Sequence, residues 1–200
     1  MFDDLQVALI TAFHDAMPAS GQWPGNEAVQ HPSGVWQWIE ANHRCNGLLW
    51  AEEDLARRRD VPDAEIAANK RAIDGYNQKR NDAIERIDEV ILDRLRTVVI
   101  AAEAWHNSET AGSIIDRMSI ISLRIHHTRA QAERDDAAAE HVRRCRERLG
   151  LLQPQRADLA QCLSTLLSAA ARGRAFYRVY RQFKMYNDPS LNPHLSGGRG

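Results

Sequence analysis

The chain has no apolar run near the ~20 residues that span a bilayer, so no segment reads as a membrane span. Its opening residues, MFDDLQVALITAFHDAM, carry acids where a secretory signal needs bases. Cysteine is scarce and odd in number. Cys45, Cys145 and Cys162 show no CxxC spacing, and each sits in a helix-like stretch. Buried free thiols are therefore expected rather than a disulfide framework, zinc or a catalytic thiol, and the pattern suits a reducing cytoplasm. Excess charge is also missing: the net charge is −1, so there is no global bias toward nucleic acid or a membrane surface. Phosphate-loop and dinucleotide glycine signatures, HExxH, internal repeats and alternating strand patterns are all absent.

What remains is a chain of 200 residues, 44% apolar and 26% charged, ordinary values for a globular domain. The charge is split unevenly. Residues 1–100 hold 11 Lys+Arg against 17 Asp+Glu, net −6, and residues 101–200 hold 15 against 10, net +5. Such asymmetry suits complementary surfaces, a homo-oligomer or a local anion site.

Apolar residues at 3–4 spacing predict helices. Phe2, Leu5, Leu9 and Phe13 mark the first, over Phe2 to Met17, and Pro18 to Gly34 is a loop. A second helix opens at Ser33 or Gly34. Asp60-Val61-Pro62 stops it and restarts a third, with Asp63 and Glu65 suited to its dipole. The third helix runs 30 residues or more, or breaks near Thr97. HNSETAGS is a loop, and Ser113 with Asp116 is a capping-box-like start for a fourth helix. Residues 130–149 are helical. Gly150 and Pro154 should interrupt, with helix resuming from about Arg156 to Tyr186, weakened at Gly173. The expected fold is all-α: a bundle of about five long helices forming one domain over 1–195, with a flexible tail over 196–200.

The third helix carries an anomaly. Ile73, Ile84, Ile87 and Ile91 mark a core face, yet Asn77 and Arg80 fall on it. Asp74, Asn77, Gln78, Asn81, Glu85 and Asp88 form a polar stripe at steps of three and four. Asn and Asp are poor helix formers, so tertiary hydrogen bonds or a ligand must offset them, unless the stripe is a solvated face. The Pro62 turn makes the second and third helices an antiparallel hairpin, which sets Glu53 and Asp54 beside Lys70 and Arg71. An ion-pair network or a ligand site fits that placement.

Elsewhere, NSETAGSIIDR opens a helix whose N-terminus suits an anion, although Asp116 supplies a negative charge of its own. RGRAFYRVYRQF has Phe176, Tyr180 and Phe183 on one helical stripe and Arg174, Arg178 and Arg181 on another. That is a solvated basic face, with nucleic acid a minor reading. His126 and His127 are adjacent and point about 100° apart, too far to chelate together. KMYNDPSLNP carries Met185, Tyr186 and two Asn/Asp-Pro steps. An ordered segment is expected there from Lys184 to about Pro193, with Tyr186 and Leu191 buried and Asn187 or Asp188 capping or reaching the polar site.

LWAEEDLAR, KRAIDGYNQKRNDAIERID, NSETAGSIIDR followed by SIISLRI, and KMYNDPSLNP, in that order from about Trp50 to Pro193, resemble the bacterial domain-of-unknown-function family 4254. Where that family often carries His after the Trp of the first motif, this chain has Ala51. The resemblance implies a helical bacterial protein associated with sugar transfer and envelope polysaccharide synthesis. It gives no reaction.

Three readings follow. The first is an enzyme or binding domain for a small phosphorylated or sugar-nucleotide ligand held between helices two, three and four. Arg57, Lys70, Arg71 and Arg80 would neutralise the anion and Asn77 and Asn81 would orient it. Asp74, Asp116, Arg117 and Asn187 would complete the site, and Glu53, Asp82 or Glu85 would serve as base or metal ligand. The second is a Mg²⁺-dependent all-α nucleotide pyrophosphatase, from Glu52-Glu53 followed by Glu85 and Asp88. The third is a non-enzymatic oligomeric module whose buried polar groups set register.

Overall fold

The computed structural model describes residues 1–20, 23–25, 29–181 and 190–191. Among them are five helices: α1 (Val7–Ala19), α2 (Gly34–Leu55), α3 (Asp63–Leu95), α4 (Ala111–Ala132) and α5 (Ala139–Ala170). The all-α bundle is thus as the periodicity requires. No helix is long and apolar enough to cross a membrane, among the described residues.

α2 and α3 form the expected antiparallel hairpin. Asn69 donates to Glu52 at 2.7 Å, Lys70 pairs with Glu53 at 3.7 Å, and Arg86 sits over the Trp38 ring at 6.0 Å. α4 and α5 form a second hairpin, and α1 lies against both. Ile39 from α2, Ile87 and Ile91 from α3, Ile114, Ile115 and Met118 from α4, and Leu163 from α5 are fully buried where these helices meet. The buried Glu40 carboxylate fastens the segment before α2 by accepting the backbone N–H groups of Gln30 and His31.

Several boundaries differ from the sequence reading. α1 begins at Val7, not Phe2, after a turn closed by Leu5 N–H on the Phe2 carbonyl. α4 is capped by Thr110 rather than Ser113, and the Thr110 hydroxyl accepts the Ser113 N–H at 3.1 Å. α5 runs unbroken through Gly150 and Pro154. Proline's ring crowds the carbonyl four residues back. Here that residue is Gly150, exposed and with open space where a Cβ would stand, so water can take the orphaned carbonyl.

The largest correction lies after α5. Gly173, at φ +68°, ends the helix in a Schellman closure: its N–H bonds Ala170 O, and Arg174 N–H bonds Ala169 O. From Arg174 to Arg181 the chain is not helical. Ala175–Phe176 (β2) pairs in parallel with Trp105–His106 (β1). The true period is two: Ala175 and Tyr177 are buried while Arg174, Arg178 and Tyr180 are exposed. Of the segment expected to fold back over Lys184 to Pro193, only Ser190 and Leu191 are among the described residues. Leu191 is exposed, in a turn, rather than buried. Met185, Tyr186, Asn187, Asp188 and the 196–200 tail lie outside the described residues. Cys45 and Cys145 are buried free thiols, but Cys162 is exposed.

Candidate functional site

Val35, Ile39, Asn42, Asn46 and Leu49 recur at steps of four and three, so they share the inward seam of α2. On α4 the same spacing links Gly112, Asp116, Ser119 and Leu123. Each seam therefore turns polar midway, at the level where α3 presents Arg80. The side chains meet. The Asp116 carboxylate accepts the side-chain amides of Asn42 at 2.8 Å and Asn46 at 2.9 Å. Asn46 also donates to the Ser119 hydroxyl at 2.9 Å, and His43 Nδ1 shares that hydroxyl at 2.8 Å. Asn42, His43, Asn46, Asp116 and Ser119 are all buried.

Arg80 closes this layer from α3. Its Nε lies 3.9 Å from Asp116 Oδ1, an ion pair beyond hydrogen-bond reach. That Nε is buried and has no hydrogen bond. The side chain then emerges into a cleft of about 330 Å³ between α2, α3 and α4. Arg57, Arg80 and Arg124 line it with Asn46, Glu53, Asp54 and Trp50, over a floor that includes Leu49, Ile120 and Leu123. Trp50 is held by stacking on His127, ring centroids 4.3 Å apart and 8° from parallel. Arg57 is steered by Glu53 at 3.1 Å, and Glu53 is shared with Lys70.

Behind the layer is an imidazole stack. His14 and His43 lie 4.6 Å apart, and Trp23 covers the other region of His43 at 4.6 Å. Burial pushes both histidines down, His43 to about 3. The His14 carbonyl offsets this slightly for His43 but is not in bonding geometry, since His43 Nε2 and both His14 ring nitrogens have no hydrogen bond.

The stripe of α3 divides between surroundings. Asp74, Gln78 and Asp82 are exposed, with Gln78 donating to Asp82 at 2.8 Å. Asn77, Asn81 and Glu85 are half-buried, and Asp88 is buried. Asn81, Glu85 and Asp88 face a separate small hollow with Thr110, Ser113 and Tyr180. There Asp88 accepts the Gly112 N–H at 2.7 Å, so the α4 N-terminus is served by Asp88 and Thr110. Burial raises the Asp88 carboxyl to about 6, against the Thr110 hydroxyl, the Gly112 N–H and the Tyr177 hydroxyl. The Tyr177 hydroxyl is itself buried without a formed hydrogen bond.

Of the residues singled out from sequence, the cleft thus gathers Glu53, Arg57 and Arg80, with Asp116 beneath. Lys70 reaches it only through Glu53, and Arg71 and Asp74 are exposed on α3. Arg117 turns away to Glu109 at 2.6 Å. Glu85 pairs with Arg181 at 3.7 Å. It lies 15 residues along α3 from Lys70, roughly 22 Å at 1.5 Å per residue, so the Glu52–Glu53 and Glu85–Asp88 pairs do not converge. Among the described residues no group of three His, Cys, Asp or Glu is placed to hold a metal ion. His126 and His127 stand nearly perpendicular, at 84°. Asn42, Asn46, Ser119 and Arg124 were not anticipated, although the heptad-like seam of α2 carries the signal for the two asparagines.

No curated protein and no solved structure matches the chain. A family model does, over residues 36–179, from the first turn of α2 through β2. KMYNDPSLNP falls outside that span, whereas the other three motifs fall within it. With 144 of 200 residues matched (36 through 179), the chain belongs to the family described as Protein of unknown function (DUF4254).

Proposed function

We propose that the cleft between α2, α3 and α4 binds a small phosphorylated ligand, a nucleotide or nucleotide sugar being the class it fits best. The observation that carries this reading is the convergence of Arg57, Arg80 and Arg124 on one cleft. Guanidinium groups bind phosphate oxygens through charge-assisted, often bidentate hydrogen bonds, and three of them line this cleft. Asp116 fixes Arg80 from behind while Asn42 and Asn46 fix Asp116, so the donor is held in place before the ligand arrives. Trp50, backed by His127, offers a flat apolar wall for a base or sugar ring. Glu53 and Asp54 supply acceptors for hydroxyl groups. The volume falls within the range of small-molecule sites. Of the three acids considered as general bases, Glu53 alone lines the cleft, and it is the residue a transfer or hydrolysis reaction would use. A bacterial cytoplasmic setting beside polysaccharide synthesis accords with this ligand class and with free cysteines.

Thermal unfolding in the presence of UDP, UDP-glucose, GDP-mannose and pyrophosphate, each with and without Mg²⁺, tests the reading. A ligand at a hundred times its Kd stabilises by about 2.7 kcal/mol. For a chain of this size that raises Tm by roughly 5–10 °C. Arg80→Gln should abolish the rise. No shift with any member of the panel, or equal shifts in the variant, contradicts it.

A further inference from the structure

A second cavity, about 480 Å³, lies away from the cleft, between the C-terminal end of α3 and the β1–β2 pair. Its wall is apolar: Leu92, Leu95, Val98, Ile100 and Phe176. Two cations, Arg96 and Arg178, line it as well, and among the described residues no Asp or Glu does. Both arginines are exposed. Arg96 pairs at the surface with Asp93 at 3.7 Å, and Arg178 stands over the Phe176 ring at 5.9 Å.

The wall is held rigidly. Ala101 N–H bonds Gly173 O at 2.8 Å, Trp105 N–H bonds Arg174 O at 3.1 Å, and Asn107 N–H bonds Phe176 O at 2.8 Å. His106 stacks on Phe176 with ring centroids 4.8 Å apart. Ile100 and its neighbour Val99 are left 55% and 87% exposed, so apolar surface continues out of the cavity mouth. An apolar chamber with a cationic rim is complementary to one shape of ligand, a hydrocarbon body ending in an anion. We infer that this cavity binds a single-chain amphiphile with an anionic head, an alkyl phosphate or a fatty carboxylate, with the chain against Leu92, Leu95 and Phe176 and the head between Arg96 and Arg178.

Burial of hydrocarbon in a chamber of finite length sets the expected behaviour. Each added methylene tightens binding by roughly fourfold while it is still enclosed, and by nothing once the chamber is full. Titration calorimetry with hexyl, octyl, decyl, dodecyl and tetradecyl phosphate, each below its micellar concentration, should give one saturable site whose affinity climbs and then levels. The Arg96→Glu/Arg178→Glu variant changes only exposed side chains and should bind at least tenfold more weakly. Ile100→Asp, also at an exposed position, should do the same. Thermal unfolding of each variant confirms that it is folded. Equal affinity for neutral dodecyl maltoside, unchanged affinity in the double variant, or binding to anionic vesicles with no saturable binding of the monomeric phosphates would each overturn the assignment.

Discussion

Replacing Asp116 by alanine removes the acceptor on which the buried polar layer depends. Asn42 keeps the amide of Asn46 on its oxygen but loses the acceptor of its own buried side-chain amide, a cost of about 1–3 kcal/mol. Asn46 keeps Ser119 and loses less. Arg80 loses its counter-charge, but at 3.9 Å and with the side chain 27% exposed, that loss is about 1 kcal/mol rather than the larger value of a dry pair. The space left by the carboxylate adds about 1 kcal/mol. The sum is about 3–5 kcal/mol, out of about 5–15 for a domain. Urea unfolding followed by circular dichroism should show the midpoint fall with the slope unchanged. Asp116→Asn keeps an oxygen in place for both amides and should cost only about 1 kcal/mol. An alanine variant within about 1 kcal/mol of wild type, or an asparagine variant as damaged as alanine, would refute the role given to this carboxylate.

Other consequences are as open to measurement. His14 and His43 are buried neutral with folded pKa values below the ~6.5 of the unfolded chain, so protons bind the unfolded state first. Stability held above about pH 6.5 should fall by roughly 1.4 kcal/mol per pH unit for each histidine as pH drops, toward about 3 for His43. His14→Phe should flatten that profile in urea titrations at pH 5 to 7. Asp88 runs the other way: its folded pKa is raised to about 6, so its contribution is lost as pH rises through that value, and Asp88→Asn should remove that loss. Gly173→Ala places a methyl 2.0 Å from the Val99 carbonyl at a backbone φ of +68°, and should cost about 3 kcal/mol or more in thermal unfolding. Thr110→Ala should cost about 1 kcal/mol through loss of the α4 cap, read by the same assay.

The helical class and the α2–α3 hairpin were legible because apolar spacing and the Pro62 punctuation are local signals. The register counted from that turn brought Glu53 to Lys70, as found. Arg80 on an apolar seam also pointed to polar partners beneath it, whereas Asn77 is only half-buried and lies outside the buried polar layer. The partners themselves were harder to see. Asn42 and Asn46 break the α2 seam just as Arg80 breaks that of α3, but which asparagine meets which carboxylate depends on how α4 crosses the hairpin. That crossing is set by packing among distant residues, not by local pattern. Pro154 misled because the cost of an internal proline is one lost hydrogen bond and a crowded carbonyl, and the Gly150 carbonyl four residues back lies on an exposed face where water can take it. The stretch after Gly173 misled because the alternation of Ala175, Tyr177 and Val179 spans too few residues to outweigh a helical stripe. Its strand forms only by pairing with residues 105–106, some 70 positions earlier.

The proposed ligand site rests on Arg80 as a preorganised anion donor at the α2–α3–α4 cleft. Isothermal titration of UDP-glucose into wild type and Arg80→Gln at the same pH and salt concentration tests it most directly. One saturable site is expected in the wild type, with affinity at least tenfold weaker when the guanidinium is replaced by a neutral amide. Equal affinity in the two proteins, or no saturable heat in the wild type, would contradict it.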